Sequence, residues 1–289
     1  MRKTTGWLLA LLLLLGVLGT AAAQEMSGGP PKVLVVYREV LKPGKNGMTH
    51  EKSESAFVQA FAKAKWPTHY FAADSLSGHP RSLFFIGYDS FADWEKDNLA
   101  TEKNPQLAAA LDRATVNDGE LLSEAEGLVF AFNEKYSLRA SVDIAHMRYF
   151  EIAVYRVRPG HHHEWEEAVN LVKAAYEKIP DVHWAAFNTV FGGEDESYAI
   201  LVPRKSLAEV DKGFGSSREF VANMGEEGMK KLHELEASAI VSTTSQLFQF
   251  NPRESYPPEA WVKADPDFWK PKPAMPPAAT PKKSKTVVQ

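Results

Sequence analysis

The stretch VLVVYREVLKPGKNGMTHEKSESAFVQAFAKAKWPTHYFAAD, residues 33–74, decides the fold because it recurs in altered form as EIAVYRVRPGHHHEWEEAVNLVKAAYEKIPDVHWAAFN, residues 151–188. Each copy contains Tyr-Arg, then Pro-Gly, then His-Glu, and finally a histidine before an aromatic residue and a pair of alanines. Later segments repeat in the same order, with SLFFIGYDSFADW at 82–94 matching SYAILVPRKSLAEV at 197–210. We therefore infer an internal duplication of one structural unit.

Each copy shows the same order of secondary-structure signals. Runs of β-branched and aromatic residues predict strands at residues 32–41, 68–76, 82–88 and 128–133 in the first copy and at 149–157, 182–191, 197–203 and 245–250 in the second. Apolar residues at helical spacing predict helices at 49–65 and 162–178. Ser90, Asn104 and Ser206 have the side chains of helix N-caps. The resulting order, β-α-β-β-α-β, is that of the ferredoxin-like unit.

The order of elements, the strand–Pro-Gly–helix opening and the duplication resemble the dimeric α+β barrel superfamily in tandem single-chain form. That superfamily includes the antibiotic-biosynthesis-monooxygenase-like and NIPSNAP-like domains. The resemblance covers residues 32–252 and implies an α+β fold. In it, two tandem ferredoxin-like βαββαβ units pack sheet-to-sheet as an intramolecular pseudo-dimeric barrel. Because two fused units supply both halves of a dimer, we expect a monomer.

The segments outside the two copies differ in composition. Arg2 and Lys3, an apolar run and three alanines predict a signal peptide, and hence a secreted or periplasmic protein with no membrane span after its removal. The predicted divisions are a signal peptide at 1–23, a flexible leader at 24–31, a first ferredoxin-like repeat at 32–136, a linker at 137–147, a second repeat at 148–252 and a Pro- and Lys-rich tail at 253–289, mostly disordered after about residue 270. The aromatic residues expected to dock on the barrel as a strap are Tyr256, Trp261, Phe268 and Trp269.

Composition narrows the classes of function. The 289 residues carry a formal net charge of −4 with no dense basic run outside the tail, which argues against a nucleic-acid partner. The chain contains no cysteine, which excludes a disulfide scaffold, a thiolate nucleophile and a cysteine metal ligand. A chain of this length can build one large or two ordinary hydrophobic cores.

The run RPGHHHEWEEAV, residues 158–169, places three histidines beside three glutamates. Successive helical positions are about 100° apart, so the three imidazoles cannot share one helix face, whereas residues four apart can. The first copy contains such a pair in His50 and Glu54. We interpret the run as a helix opening whose glutamates favour the helix N-terminus, and we predict no dedicated metal site. The alternative interpretation is a weak metal site on the protein surface, for which the candidate ligands are His161, His162, His163 and Glu167.

Residues at matching strand positions in both copies are better candidates for chemistry. His69 and His183 each begin a second strand beside a large aromatic residue, and an imidazole can act as a general base toward a phenolic substrate. Alternatively, His69 and His183 each have a structural role instead of a catalytic one. The candidates for ligand binding are Tyr37, Tyr155, Trp184, Asp74 and Asn188.

The resemblance implies that a ligand enters the barrel or the space between a sheet and its helices, but it leaves the function open. We predict an exported protein that binds a small aromatic or apolar molecule. The alternatives are a cofactor-independent or heme-dependent oxygenase and a non-catalytic envelope scaffold, so enzymatic activity is left open. No cofactor is predicted from the residues. If heme binds, the candidates for its axial ligand are His69, His183 and His233.

Overall fold

Eight antiparallel strands close into a barrel in the computed structural model, which describes residues 29–270. The strands are β1 (Val33–Leu41), β2 (Tyr70–Ser75), β3 (Arg81–Tyr88), β4 (Leu122–Phe132), β5 (Tyr149–Val157), β6 (Ala185–Phe191), β7 (Ser197–Arg204) and β8 (Ile240–Tyr256). Their order around the barrel is β1-β3-β2-β8-β5-β7-β6-β4.

The strand order divides the barrel into two units of identical topology. One unit contains four neighbouring strands in the spatial order β4-β1-β3-β2, and the other contains four in the order β8-β5-β7-β6. Each is the strand order of a ferredoxin-like sheet. The units join where β2 pairs with β8 and where β4 pairs with β6. This topology confirms the predicted pseudo-dimeric barrel of two tandem ferredoxin-like units.

The long helices pack against the outside of the barrel. They are α1 (Met48–Ala64), α2 (Phe91–Glu102) and α3 (Pro105–Gly119) in the first unit and α4 (His162–Tyr176) and α5 (Leu207–Ala239) in the second. The predicted caps lie at the starts of α2, α3 and α5. Ser90 and Asn104 each accept a hydrogen bond of 3.1 Å from a backbone N–H of the first turn, whereas the Ser206 side chain makes no cap hydrogen bond.

Aromatic side chains fill one end of the barrel interior. The rings of Phe71, Phe85, Phe150 and Phe250 contact one another with centroid distances between 4.8 and 5.9 Å. The chain after β8 forms α6 (Glu259–Ala264) and α7 (Pro266–Trp269), whose two tryptophans are buried against this cluster. The burial of Trp261 and Trp269 confirms that the predicted strap docks on the barrel, where it covers this end.

Two strands are longer than the sequence predicted. β4 begins at Leu122, and β8 extends from Ile240 to Tyr256, past the predicted end of the second repeat at residue 252. The early parts of both strands are polar but pair along β1 and β5, respectively. The last part of β8 pairs with β2 through an irregular register. Pairing partners therefore extend both strands beyond the runs of β-forming residues.

Several sequence predictions fall outside the described residues. The signal peptide at 1–23, most of the leader at 24–31 and the tail beyond residue 270 belong to this group. Among the helices between residues 29 and 270, none has both the length and the apolar character needed to cross a bilayer. The predicted linker at 137–147 contains a β-bridge from Leu138 to Trp184 and a short 3-10 helix, Ile144–His146.

Candidate ligand pocket and buried histidine cluster

The barrel interior is open at the end opposite the strap. There it forms a cavity of about 570 Å³, which we call the lumen, lined by inward-facing side chains of seven of the eight strands. Along the six strands that contribute more than one residue, the lining changes from apolar near the strap to polar at the mouth. This order is seen in Phe85, Leu83 and Arg81 on β3, in Phe130, Leu128 and Glu126 on β4, and in Ile152, Val154 and Arg156 on β5.

Three arginines and two glutamates lie at the mouth of the lumen. Arg38 pairs with Glu126 at 2.8 Å and Arg156 pairs with Glu194 at 3.2 Å between nitrogen and oxygen. Within residues 29–270, Arg81 has no carboxylate at ion-pair distance. The pKa of the Arg81 guanidinium is lowered mainly by burial and secondly by the positive charge of the nearby Arg38. Among the described residues, the Arg81 guanidinium therefore lacks a direct ion pair, although the charges of Glu124 and Glu126 act on it.

A second site lies on the outer face of the first unit's sheet, beneath α1 and α3. We call it the His50 cluster. The His50 side chain is 1% exposed, and its Nε2 faces the carboxylates of Glu39 on β1, Asp118 on α3 and Glu54 on α1. The distances from Nε2 to their nearest oxygens are 3.1, 3.7 and 3.9 Å, respectively. One imidazole nitrogen and three carboxylate oxygens thus lie within 4.8 Å of one another.

A β-bulge brings a fourth carboxylate to His50. Between Asn251 and Tyr256, β8 uses five residue steps where β2 uses two, from Ala72 to Tyr70. The Ser255 hydroxyl bridges the irregularity, since it accepts a hydrogen bond from the Ala72 N–H and donates one to the Asn251 carbonyl. The bulge aims Glu254 at the sheet's outer face, where its Oε1 lies 3.2 Å from Nδ1 of His50.

Burial and mutual repulsion set the protonation of the cluster. Burial raises the pKa of Glu54 to about 10, with the charges of Glu39, Asp118 and Glu254 as further causes. Burial also raises the pKa of Glu254 to about 8, although its hydrogen bond with His50 opposes the rise. For His50 burial acts to lower the pKa, but the hydrogen bonds with Glu254 and Glu39 outweigh it and raise the pKa to about 11.

The cluster contains buried oxygens that the protein does not satisfy. Both carboxylate oxygens of Asp118, Oε1 of Glu54 and Oε2 of Glu254 lack a hydrogen-bond partner in the described part of the chain. No lysine or arginine between residues 29 and 270 forms an ion pair with Glu39, Glu54, Asp118 or Glu254. Buried polar oxygens without hydrogen-bond partners are costly, which indicates that the described side chains do not complete the cluster by themselves.

The two predicted catalytic histidines have separate surroundings. The His69 ring packs on Tyr256 with 4.7 Å between ring centroids, and burial lowers its pKa. Both ring nitrogens of His183 lie at hydrogen-bond distance from backbone carbonyls, those of Asp181 at 3.0 Å and Pro203 at 2.9 Å. Neither histidine lines the lumen or belongs to the His50 cluster.

The predicted ligand-binding residues are likewise dispersed. Tyr37 is 46% exposed on the outside of β1, and Tyr155 packs on Trp165 outside the barrel. Trp184 is buried and donates to the Tyr136 carbonyl, and Asn188 accepts from Asn133. Asp74 adjoins the His50 cluster, since it accepts a hydrogen bond from Ser82, whose hydroxyl lies 3.4 Å from His50. Trp184 lines, with His183, a small cavity of about 60 Å³ that shares Phe85 with the lumen.

The histidine triplet does not converge on one point. Helix α4 begins at His162, with His161 as its N-cap residue. His161 lies near Ser238 and Glu164, His162 pairs with Glu196, and Glu167 pairs with Lys231 instead of a histidine.

It is the pair in the first copy, His50 and Glu54, that the structure places in a buried cluster. Its spacing of four on one helix was the available signal. The other members are distant in sequence, since Glu39 and Glu254 lie 11 and 204 residues from His50.

The sequence matches no protein-family model and no curated protein. The fold is similar to that of an anthrone oxidase-like protein, with a TM-score of 0.48, 13% identity, and coverage of 76% of this chain and 91% of that chain. It is similar to a proposed monooxygenase from Fusobacterium nucleatum, with a TM-score of 0.48, 12% identity and coverage of 75% and 91%. It is also similar to a mutant chlorite dismutase from Candidatus Nitrospira defluvii, with a TM-score of 0.45, 8% identity and coverage of 81% and 95%. Similarity at this level concerns chain topology and does not extend to the activities in those names.

The lumen does not fit heme. Heme iron takes an axial histidine, cysteine, methionine or tyrosine, and none of these residue types lines the lumen. None of the three histidines considered for that role lines the lumen, and His233 lies in a shallow groove along α5.

Proposed function

We propose that the protein binds a small amphipathic molecule in the lumen, with an apolar or aromatic body and an anionic head group. The observation that supports this is the layering of the lumen, from phenylalanine and leucine near the strap to arginine at the mouth. A volume of about 570 Å³ lies in the usual range for small-molecule pockets. A lumen of this size also favours a binding role over that of a filled scaffold.

Arg81 accounts for the anionic head group. Arg38 and Arg156 already pair with Glu126 and Glu194, whereas Arg81 has no carboxylate partner between residues 29 and 270. An anion at the mouth would neutralise its charge and accept hydrogen bonds from a planar guanidinium, which suits carboxylate, sulfonate or phosphate groups. The body of the ligand would extend toward Phe85, where burial of apolar surface supplies the affinity.

Fluorescence titration with anilinonaphthalene sulfonate tests this proposal, because the probe combines an aromatic body with an anionic head. Decanoate should displace the probe, and decanol should do so at least about tenfold less well, since charged hydrogen bonds contribute about 1.5–3 kcal/mol. Arg81→Gln should weaken binding of the probe and of decanoate by about tenfold or more. Lys63→Gln, which removes one positive charge from the exposed surface of α1, is the matched control and should change neither.

A second variant separates binding in the lumen from binding on the surface. Ala199 is buried and lines the lumen, so Ala199→Phe should fill part of the cavity and reduce probe binding. Thermal unfolding and circular dichroism would establish that the variant is folded. Equal binding by the wild type, Arg81→Gln and a folded Ala199→Phe would overturn the proposal.

A further inference from the structure

We infer that the His50 cluster binds one divalent first-row transition-metal ion through Glu39, His50, Glu54 and Asp118. The four side chains come from β1, α1 and α3, and their candidate ligand atoms lie within 4.8 Å of one another. Donors bound to a single ion at about 2.1 Å lie at most about 4.2 Å apart, so small side-chain adjustments complete the site. This inference concerns the outer face of the sheet and is independent of ligand binding in the lumen.

Unsatisfied buried atoms point to a ligand in the cluster. Asp118 is 2% exposed, and neither of its oxygens has a hydrogen-bond partner between residues 29 and 270. Glu54 is 3% exposed and leaves Oε1 equally unsatisfied. If all three were ionised, the carboxylates that face the imidazole would repel each other at low dielectric, and a dication bound among them would remove that repulsion.

The duplication provides an internal comparison. The match of Tyr37-Arg38 with Tyr155-Arg156 places Val157 of the second unit at the position of Glu39. Val157 is fully buried in an apolar cluster with Trp165 and Trp184. Since the second unit forms the same sheet with an apolar side chain here, the fold itself does not require a carboxylate at this position.

The orientation of His50 is that of a metal ligand. Glu254 lies 3.2 Å from Nδ1 and can accept its hydrogen bond, which fixes the ring and leaves Nε2 directed at the three carboxylates. A histidine that ligates a metal commonly donates its other N–H to a carboxylate in this way. Ser82 and Asp74 extend the hydrogen-bonded support around the same ring.

The donor types select the class of ion. Magnesium and calcium prefer oxygen ligands alone, whereas imidazole with carboxylates suits manganese, iron and zinc. Four protein ligands in a buried setting, with Glu39 the most exposed of them at 17%, are typical of an enclosed site that holds its ion firmly. The inferred ion is therefore Mn²⁺, Fe²⁺ or Zn²⁺.

The test uses full-length protein without an affinity tag, stripped with EDTA and titrated separately with Mn²⁺, with Zn²⁺ and, without oxygen, with Fe²⁺. Calorimetry should give one equivalent per chain for at least one ion, and that ion should raise the melting temperature. The parent protein for all of these titrations carries His161→Ala, His162→Ala and His163→Ala, so that weak metal binding by the surface histidines does not contribute.

Asp118→Asn and Glu39→Gln should each weaken binding by more than about 100-fold, because even changes to second-layer partners cost about 10–100-fold. Glu167→Gln, a change of the same kind on the surface of α4, should leave binding unchanged. Glu39→Gln keeps the test decisive if Asp118→Asn fails to fold. The inference is wrong if none of the three ions binds at one equivalent, or if the folded variants bind as the parent does.

Discussion

His50, Glu54 and Glu254 have pKa values shifted in one direction, and this links their protonation to stability. The folded-state values of about 11, 10 and 8 all exceed the unfolded-state values of about 6.5 for histidine and 4.3 for glutamate. A raised pKa stabilises the folded protein fully below the unfolded-state value, and this stabilisation is lost as pH rises through the folded-state value. All three groups therefore destabilise the metal-free fold toward alkaline pH.

We expect the free energy of unfolding of the metal-free protein to fall by more than about 3 kcal/mol from about pH 7 to about pH 9, because each proton that only the folded state holds changes the stability by about 1.4 kcal/mol per pH unit. Urea unfolding in the presence of EDTA measures this change. Glu54→Gln should reduce the slope, because an amide in place of the buried carboxyl has no proton to lose. Glu167→Gln, at a solvent-accessible position of α4, should leave the slope unchanged. Stability that is constant or rises over this range would contradict the assignment of raised pKa values.

The strap made of α6 and α7 covers one end of the barrel. Trp269 is fully buried, contacts Trp261 at 5.1 Å between ring centroids, and donates a hydrogen bond of 2.7 Å to the Ala145 carbonyl. A large aromatic residue with its N–H satisfied contributes both buried area and a polar anchor. The strap therefore stabilises the barrel mainly through the burial of its two tryptophans and the hydrogen bond of Trp269.

Trp269→Ala should lower the free energy of unfolding by about 3–5 kcal/mol, the usual cost of truncating a buried tryptophan. Lys263→Ala on α6 is the control, since its side chain is 77% exposed and the change should cost less than about 0.5 kcal/mol. Chemical denaturation of both variants at one pH measures the difference. A loss below about 1 kcal/mol for Trp269→Ala would show that the strap is not integral to the barrel.

The sequence predicts a helix or strand well where its apolar residues recur with a regular period. It predicts poorly where pairing with another strand determines how far a strand extends. The duplicated run sets β1, α1 and β2 nearly to their observed ends, whereas the polar start of β8 and its bulge around Glu254 have no local signal. The His50 cluster shows the same limit. His50 and Glu54 are close in sequence, but Asp118 joins them only because α3 packs on α1.

The two candidate sites lie on opposite faces of the same strands of the barrel. Arg38 points into the lumen and the adjacent Glu39 points to His50. Arg81 and Ser82 on β3 divide in the same way. Alternation along a strand thus lets one sheet serve an interior cavity and an exterior buried cluster without shared side chains. The two sites can therefore be removed independently by substitution.

The closed strand order predicts a monomer in solution. The outer strands are β4 and β2 in the first ferredoxin-like sheet and β8 and β6 in the second, and in this chain β2 pairs with β8 and β4 pairs with β6. Within residues 29–270, this closure leaves only the polar early parts of β4 and β8, before Val129 and Phe248, without a strand on one side, so little sheet edge remains for pairing with a second copy. Gel filtration with light scattering should give the mass of one chain at every concentration tested. As a control, Arg139→Ala, which disrupts hydrogen bonds from Arg139 to three backbone carbonyls around α4, should lower stability and leave the mass unchanged. A stable dimer of the wild type would show that an outer helical surface, and not a sheet edge, provides an interface.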